Sequence, residues 1–284
     1  MAELTTTYVR EVLLREVGGP DWQISEPLGT GSKTRLVHRG STALAVKLVD
    51  TPPRITARLS EIGVTPPIVA VGEYDKRRYT IQQAVTGPHP DRDWFAGNLP
   101  RWADLVRSYL DDDELHRLLA ETPAFWRLDV TGAVAVIDRS PAPTMPVLQE
   151  PGFRASLERW REQAEAVVRL PHQPIHPDAH VHNYVIAGGR PYLLDWEYVD
   201  LSDPLRDVGF QVCGSLHRGR WAEFLRRIGH APSEELEIAM LWWAAFKMAM
   251  NAFFNDGRGD ERGAAFHAHY FRMAVDRRSW VDQR

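Results

Sequence analysis

Cysteine is almost absent. The 284 residues contain one, Cys213, so no disulfide can form within the chain and a cysteine-based zinc site is not expected. Cys213 itself reads as a small buried residue of a helix. An excess of positive charge is also missing: 34 Lys and Arg stand against 38 Asp and Glu, a net −4. No global field therefore draws the chain to nucleic acid or to an anionic membrane. Long apolar runs are missing too, since a membrane span needs about 18 such residues. The richest stretch, "IAMLWWAAFKMAMNAFF", is broken by Lys247 and Asn251 and reads as a buried helix. The first residues, "MAELTTTYVREVLLREVGG", are charged and amphipathic and lack the apolar core of a signal peptide. The expectation is a soluble cytoplasmic protein without a nucleic-acid or membrane partner. There is no internal repeat and no signal of oligomeric state.

An apolar fraction of 44% with ten tryptophans points to a well-packed core. The chain changes texture along its length. In residues 1–85 a leading helix, capped within Thr5–Thr7, precedes β-like runs. "WQISEPLGTGSKTRLVHRGSTALAVKLVD" reads strand, glycine turn, strand, turn, strand. "PPRITARLSEIGV" reads as a short helix with proline at its start and Gly63 at its end. "PIVAVGEY" and "RRYTIQQAV" add two strands. The Pro/Gly-rich "TGPHPDRD" marks a boundary. Residues 86–284 then read as mostly helical: 101–121, 153–170, 204–217, 219–229, 233–255 and 259–277. Strands recur only in "QPIHPDAHVHNYVIAGGRPYLLDWEYVD", with a hairpin at Gly188-Gly189. The segment "RLDVTGAVAVIDRSPAPTMPVLQE" fits a strand pair or a long loop.

Chemistry concentrates in "HPDAHVHN", residues 176–183. On a strand, His176, Asp178, His180 and His182 would share one face, as zinc or iron ligands do. Pro177 opposes an interior strand, and no second histidine cluster completes a hydrolase site. The same stretch meets the phosphoryl-transfer pattern H-x-D-x-x-x-x-N through His176, Asp178 and Asn183. There an aspartate orients the attacking hydroxyl and an asparagine holds a metal ion. A second metal-binding aspartate should follow on a hairpin, and Asp195 stands 195 − 183 = 12 residues on. Upstream, Gly29 and Gly31 lie on a strand–turn–strand where backbone N–H groups could approach phosphates. Lys47 follows Gly31 by 47 − 31 = 16 residues, inside the apolar strand "AVKLV". A lysine there either reaches solvent from an edge strand or needs a partner, which phosphate oxygens would supply.

With these pieces in order, the sequence resembles the aminoglycoside phosphotransferase family and its choline-kinase and homoserine-kinase-like relatives. "HPDAHVHN" is similar to that family's H-G-D-L-H-x-x-N, and "DWEYVDLSDPLRDVG" to its D-W-E-x-x-x-x-G-D-P-x-x-D-L. The resemblance implies an α+β, bilobal protein-kinase-like fold, with a β-rich nucleotide-binding lobe at 1–85 and a helical lobe at 86–284. It implies Asp178 as catalytic base, Asn183 and Asp195 as Mg²⁺ ligands, Lys47 on phosphate, and Asp203 and Asp207 as structural helix-entry residues. ATP, with GTP as the alternative, would be the donor. The acceptor would be a hydroxyl-bearing small molecule: an aminoglycoside or related antibiotic first, choline, another amino alcohol or a natural product otherwise. Pro177, Ala179 and His182 depart from the pattern, leaving the three polar roles filled. His176 is expected to brace the loop; Asp203 before Pro204 reads as an N-cap. Glu61 is the acidic residue available to pair with Lys47, although it sits late in its helix; the alternative reading is a solvated surface residue. Glu197 stands near the metal or supports the loop. Asp256, Asp260 and Glu261 either receive a cationic substrate or form a polar interhelical loop. A metal-dependent hydrolase and a nucleotide-binding protein without catalysis remain as readings of other classes.

Overall fold

The computed structural model describes residues 4–27 and 33–281. Helix α1 (Thr6–Glu16) opens the chain, with the Thr5 hydroxyl accepting the Tyr8 N–H at 3.2 Å. Five antiparallel strands follow, β1 (Gln23–Ile24), β2 (Thr34–Arg39), β3 (Thr42–Leu48), β4 (Ile68–Tyr74) and β5 (Arg77–Gln83), in the order β1-β2-β3-β5-β4. Period-two alternation sorts their side chains. Leu44, Val46 and Leu48 of β3, with Tyr79 and Ile81 of β5, pack under Tyr8, Val9, Val12 and Leu13 of α1. The residues between them, Ala45, Lys47, Thr80 and Gln82, face the opposite way and line a cavity.

Helix α2 (Pro53–Glu61) sits between β3 and β4, starting on Pro53 and followed by Gly63 at φ +75°. Its apolar residues Ile55 and Leu59, with Val64 after it, belong to the larger core of the helical lobe. The smaller core above the sheet is thus built without α2. The expected boundary at 85/86 falls in the coil after β5, whereas side-chain packing joins α2 to the C-terminal part.

The second lobe begins with α3 (Arg92–Gly97), α4 (Leu99–Leu110) and α5 (Asp113–Ala120). The single helix expected over 101–121 is two helices. Asp112 interrupts it, accepting the Leu115 N–H at 2.7 Å as N-cap of α5 while Arg58 of α2 grips it at 2.6 and 3.0 Å. The strand pair or loop expected over 127–150 is instead helix α6 (Val130–Asp138) and a short helix α7 (Pro146–Gln149). Asp129 caps α6 on the Gly132 N–H at 2.7 Å, and Val130, Ala133 and Ile137 are its buried side. The alternating valines masked that three-to-four spacing. Helix α8 (Pro151–Gln163) leads to strands β6 (Gln173–Ile175), β7 (Tyr184–Ala187), β8 (Arg190–Leu193) and β9 (Asp200–Ser202). The expected hairpin joins β7 to β8, and Gly188 and Gly189 take φ +58° and +76°, as a two-residue turn of that hand requires. β6 pairs with β9, which brings the two ends of the 176–199 segment together.

Helices α9 (Leu205–Ser215), α10 (Trp221–Arg227), α11 (Glu234–Gly257) and α12 (Glu261–Val275) complete the lobe. α11 is its buried axis. Trp160 of α8 stacks on Trp242 at 4.7 Å, and each indole N–H donates to the other residue's carbonyl at 2.9–3.2 Å. A side chain on Gly209 would put its Cβ 2.3 Å from the Met240 carbonyl oxygen, so glycine lets α9 cross α11 closely. Cys213 is fully buried on α9, as expected. No helix among the described residues is long and apolar enough to cross a membrane.

Candidate active site

A cavity of about 380 Å³ lies between the sheet and the β7–β8 hairpin. From the sheet come Lys47, Thr80 and Gln82; from α2, Thr56 and Leu59; from the second lobe, Asn183, Asp195, Trp196 and Glu197. Gly29 and Gly31 lie outside the described residues.

Lys47 forms an ion pair with Asp195 and lies 3.4 Å from Glu197 Oε1. Glu197 also meets Lys33 at 3.3 Å, and Lys33 reaches Asp50 at 2.9 Å. The pairing of Lys47 with Glu61 is not what the structure builds. Glu61 is 63% exposed and pairs with Arg58 at 3.0 Å. On α2 Thr56 and Leu59, five and two residues before Glu61, face the cavity, and Glu61 points elsewhere on the helix. The carboxylate expected from α2 arrives instead from Glu197, 12% exposed.

Asp195 has φ +67°, ψ +50°, a left-handed conformation uncommon for a side-chain-bearing residue. It turns the chain sharply from β8 into the 196–198 turn. Burial opposes ionisation of its carboxyl, yet Lys47 holds the pKa below the ordinary aspartate value. For Lys33 burial acts against the charge, and Asp50 and Glu197 outweigh it, so its pKa is raised.

The 176–183 segment is a turn followed by a single helical turn over Val181–Asn183. The one-faced strand of His176, Asp178, His180 and His182 therefore does not form, because Pro177 and the turn break the alternation. Among the described residues no three His, Cys, Asp or Glu side chains are grouped to hold a metal ion. His176 is buried and braces the loop. Its Nε2 lies 2.7 Å from the Leu194 carbonyl, its Nδ1 accepts the Asp178 N–H at 3.3 Å, and its ring meets Trp196 edge-on. Those contacts fix the tautomer with hydrogen on Nε2. Burial lowers its pKa to about 4, so the ring is neutral near pH 7. Its backbone N–H donates to Asp207 at 3.0 Å, and Asp207 also accepts from Tyr109 at 2.7 Å. Burial raises Asp207 to about 6 against these donors.

Asp203 accepts the Leu205 N–H at 2.9 Å and the Leu170 N–H at 3.3 Å, so it ties the start of α9 to the chain before β6. Burial raises its pKa. The helix begins one residue later than expected, with Pro204 at the cap position. His180 caps the short turn on the His182 N–H at 3.2 Å, and His182 meets the edge of His89. Asn183 donates its amide to the Asp178 carbonyl at 2.8 Å, which leaves Oδ1 as its remaining ligand atom.

Asp178 is the partly exposed end of this loop. Lys247 of α11 donates to its Oδ1 at 2.8 Å and to the Pro177 carbonyl at 3.1 Å. His180 Nε2 stands 3.6 Å from Oδ2. The sequence reading passed over Lys247 as a break in an apolar run. The usable signal was a charge in the middle of a helix otherwise buried all round, which demands a partner. Asp256 accepts from Thr144 and Met145 at 2.7–3.1 Å, and Asp260 caps α12 on the Gly263 N–H at 3.0 Å. Asp256 thus holds the segment before α7 and Asp260 the start of α12; Glu261 is exposed in the first turn of α12.

A model of a family described as "Phosphotransferase enzyme family" matches residues 54–246, which is 246 − 54 + 1 = 193 of the 284 residues. A search of curated proteins finds no match. Among solved structures, a choline/ethanolamine kinase family protein from Mesorhizobium loti is 16% identical with a TM-score of 0.66, over 95% of this chain and 98% of that one. The choline kinase LicA from Streptococcus pneumoniae is 10% identical with a TM-score of 0.67, over 95% and 98%. A thermostable mutant of the aminoglycoside phosphotransferase APH(4)-Ia, in ternary complex with ADP and hygromycin B, is 14% identical with a TM-score of 0.64, over 95% and 98%. At such identities the likeness is one of fold.

Proposed function

The chain belongs to the phosphotransferase enzyme family, and we propose that it transfers the γ-phosphoryl group of ATP to a hydroxyl of a small molecule. One observation carries the reading: Lys47, Asn183 and Asp195, remote in sequence, line a single cavity, and Asp178 stands at the end of the same loop. ADP in the hygromycin phosphotransferase complex and AMP in a LicA complex support a nucleotide in this cavity. GTP is the alternative donor.

Lys47 would bind phosphate oxygens. The donors offered by Asn183 and Asp195 are oxygens only, one amide and one carboxylate. This suits Mg²⁺, which takes one or two carboxylates together with phosphate oxygens. When bound, Mg²⁺ supplies neutralisation of the phosphate charge. Glu197 holds Lys47 and Lys33 in place from below. Asp178 accepts the proton of the acceptor hydroxyl as its oxygen bonds to the γ-phosphorus and the bond to the β–γ bridging oxygen breaks. His176 fixes the backbone beneath Asp178, and the remaining work is orientation.

Aminoglycosides are the first acceptors to test, followed by choline and other amino alcohols, sugars and natural products. An ADP-release screen over that panel, with Asp178→Asn beside the wild type, tests the reading. A chain that neither binds Mg·ATP nor consumes it with any hydroxylated acceptor would overturn it. Full activity of Asp178→Asn would overturn the role of Asp178 alone. A protein that binds nucleotide without catalysis is disfavoured by the complete set of Asp178, Asn183 and Asp195.

A further inference from the structure

A cationic acceptor needs a carboxylate or an aromatic face free to receive it. At the acceptor end of the loop both are already taken by the protein's own cation. Lys247 Nζ lies 2.8 Å from Asp178 Oδ1 and 5.9 Å from the Phe210 ring centroid. It is also held by the Pro177 carbonyl at 3.1 Å, and at 14% exposure it is more enclosed than Asp178 at 38%. The helix that carries it is fixed by the Trp160–Trp242 stack and by the close α9 crossing at Gly209. Lys247 is therefore a built part of the site and not a roaming surface lysine. The second neighbour of Asp178 is His180, so nitrogen bases flank both carboxylate oxygens.

The carboxylates nearest the loop and the cavity are engaged as well, and Asp260 caps α12 on the Gly263 N–H. Asp195 is paired with Lys47, Glu197 with Lys47 and Lys33, and Asp256 accepts backbone and hydroxyl donors of Thr144 and Met145. We infer that the acceptor is an uncharged or anionic hydroxyl compound, with Lys247 as the residue that selects against cations. The inference rests on the phosphotransferase reading and narrows its acceptors by charge, so the aminoglycosides and choline tested first there are expected to be poor acceptors and the sugars and uncharged natural products better ones. Asp178 Oδ2 remains the atom that receives the hydroxyl proton, while Lys247 keeps Oδ1 and presents positive charge toward an acceptor carboxylate or phosphate.

The test holds the scaffold constant and changes its charge. D-glucosamine, D-glucose and D-glucuronate form one series, and choline with its uncharged isostere 3,3-dimethyl-1-butanol another. ADP release gives kcat and KM for each, with wild type, Lys247→Met and Lys247→Arg. The expected result is a wild-type kcat/KM lower by about tenfold or more for the cationic member than for its uncharged or anionic partner, as like charges at close range require. Lys247→Met should erase that preference, chiefly through KM, and Lys247→Arg should keep it. Three results would overturn the inference: a cationic member used as well as its partner, a preference unchanged in Lys247→Met, or no turnover of any uncharged or anionic member. Absence of Mg·ATP binding in a thermal-shift assay would instead overturn the phosphotransferase reading beneath it.

Discussion

Two lysines pair with the two aspartates that flank the 176–195 segment, Lys47 with Asp195 and Lys247 with Asp178, and they are not equally visible in the sequence. Lys47 projects from β3, where alternation leaves Val46 and Leu48 in one core and turns the lysine to the other face. A strand has two faces, so a lone charge within an apolar strand announces its direction from sequence alone. Lys247 projects from α11, which is buried over most of its circumference. A helix buried all round has no polar face to define a direction. Its partner Asp178 is 247 − 178 = 69 residues away. The lesson is that the cleft around Lys47, proposed for the nucleotide, is built from local pattern, and the surroundings of Asp178, proposed for the acceptor, from tertiary packing.

The strongest way to break the comparison is to remove the group both sides serve. Asp178→Asn should lower kcat by about 10²–10⁴ with every acceptor if Asp178 is the general base. Nucleotide affinity, read by titration with Mg·ATP, should change little, because Asp178 does not line the cavity that holds Lys47. A large loss of nucleotide affinity would join the two sides that the geometry separates.

The lysines themselves come next. Lys47→Met should lower kcat/KM for ATP by about 10²-fold, the scale of losing one pre-placed charge donor, and leave the acceptor KM nearly unchanged. Lys247→Met should do the reverse, acting on the acceptor KM and sparing the KM for ATP. Initial-rate kinetics with each substrate varied in turn separates the two outcomes. Equal effects on both substrates from either variant would defeat the division.

Smaller in effect is the brace they share. His176 is buried and neutral, with a folded pKa of about 4 against 6.5 for the free side chain. A histidine with a depressed pKa contributes stability that is fully present above pH 6.5 and is lost as pH falls toward 4. The window corresponds to 6.5 − 4 = 2.5 units, or about 3 kcal/mol at its limit. Asp207, bonded to the His176 backbone N–H and raised to about 6, runs the other way. Its protonation favours the fold as pH falls from 6 toward the ordinary carboxyl range. Wild type should therefore lose less on acidification than His176 alone dictates. Asp207→Asn should steepen the fall of melting temperature between pH 6.5 and 4, whereas His176→Asn should flatten it.

The limits of legibility follow the same division. The succession of strands along the chain, the Gly188-Gly189 turn, α2 with its proline start, and the loop from His176 to Asn183 could be read because each depends on neighbours in the chain. The failures were of other kinds. Over 127–150 the valines imitate strand alternation, and only the Asp129 cap betrays α6. At 112 a capping aspartate stands inside an apolar periodicity that runs on through both helices and hides the break. The histidines of 176–183 suggested ligands, whereas His176 and His180 hold the turn together by accepting backbone N–H groups. In each case the deciding partner is a backbone donor or a distant side chain, which residue identity alone does not display.

The smallest expected effect is the one that most directly tests how Lys47 is held. Glu61 is the one acidic residue that α2 could offer to Lys47, but it is 63% exposed and bonded to Arg58 within its own helix. Arg58 retains Asp112 at 2.6 Å, so it is not left alone when Glu61 is neutralised. Glu61→Gln should change stability by less than about 0.5 kcal/mol, as exposed helix pairs do, and leave KM for ATP unchanged. Glu197 is 12% exposed and contacts Lys47 and Lys33 together. Glu197→Gln leaves two partly buried ammonium groups short of a carboxylate and should raise KM for ATP several-fold. If the two variants behaved alike, or Glu61→Gln proved the more harmful, α2 would have to rotate to bring Glu61 into the cleft. The carboxylate on which Lys47 rests would then come from the helix, as the sequence pattern suggests, and not from the turn after Asp195.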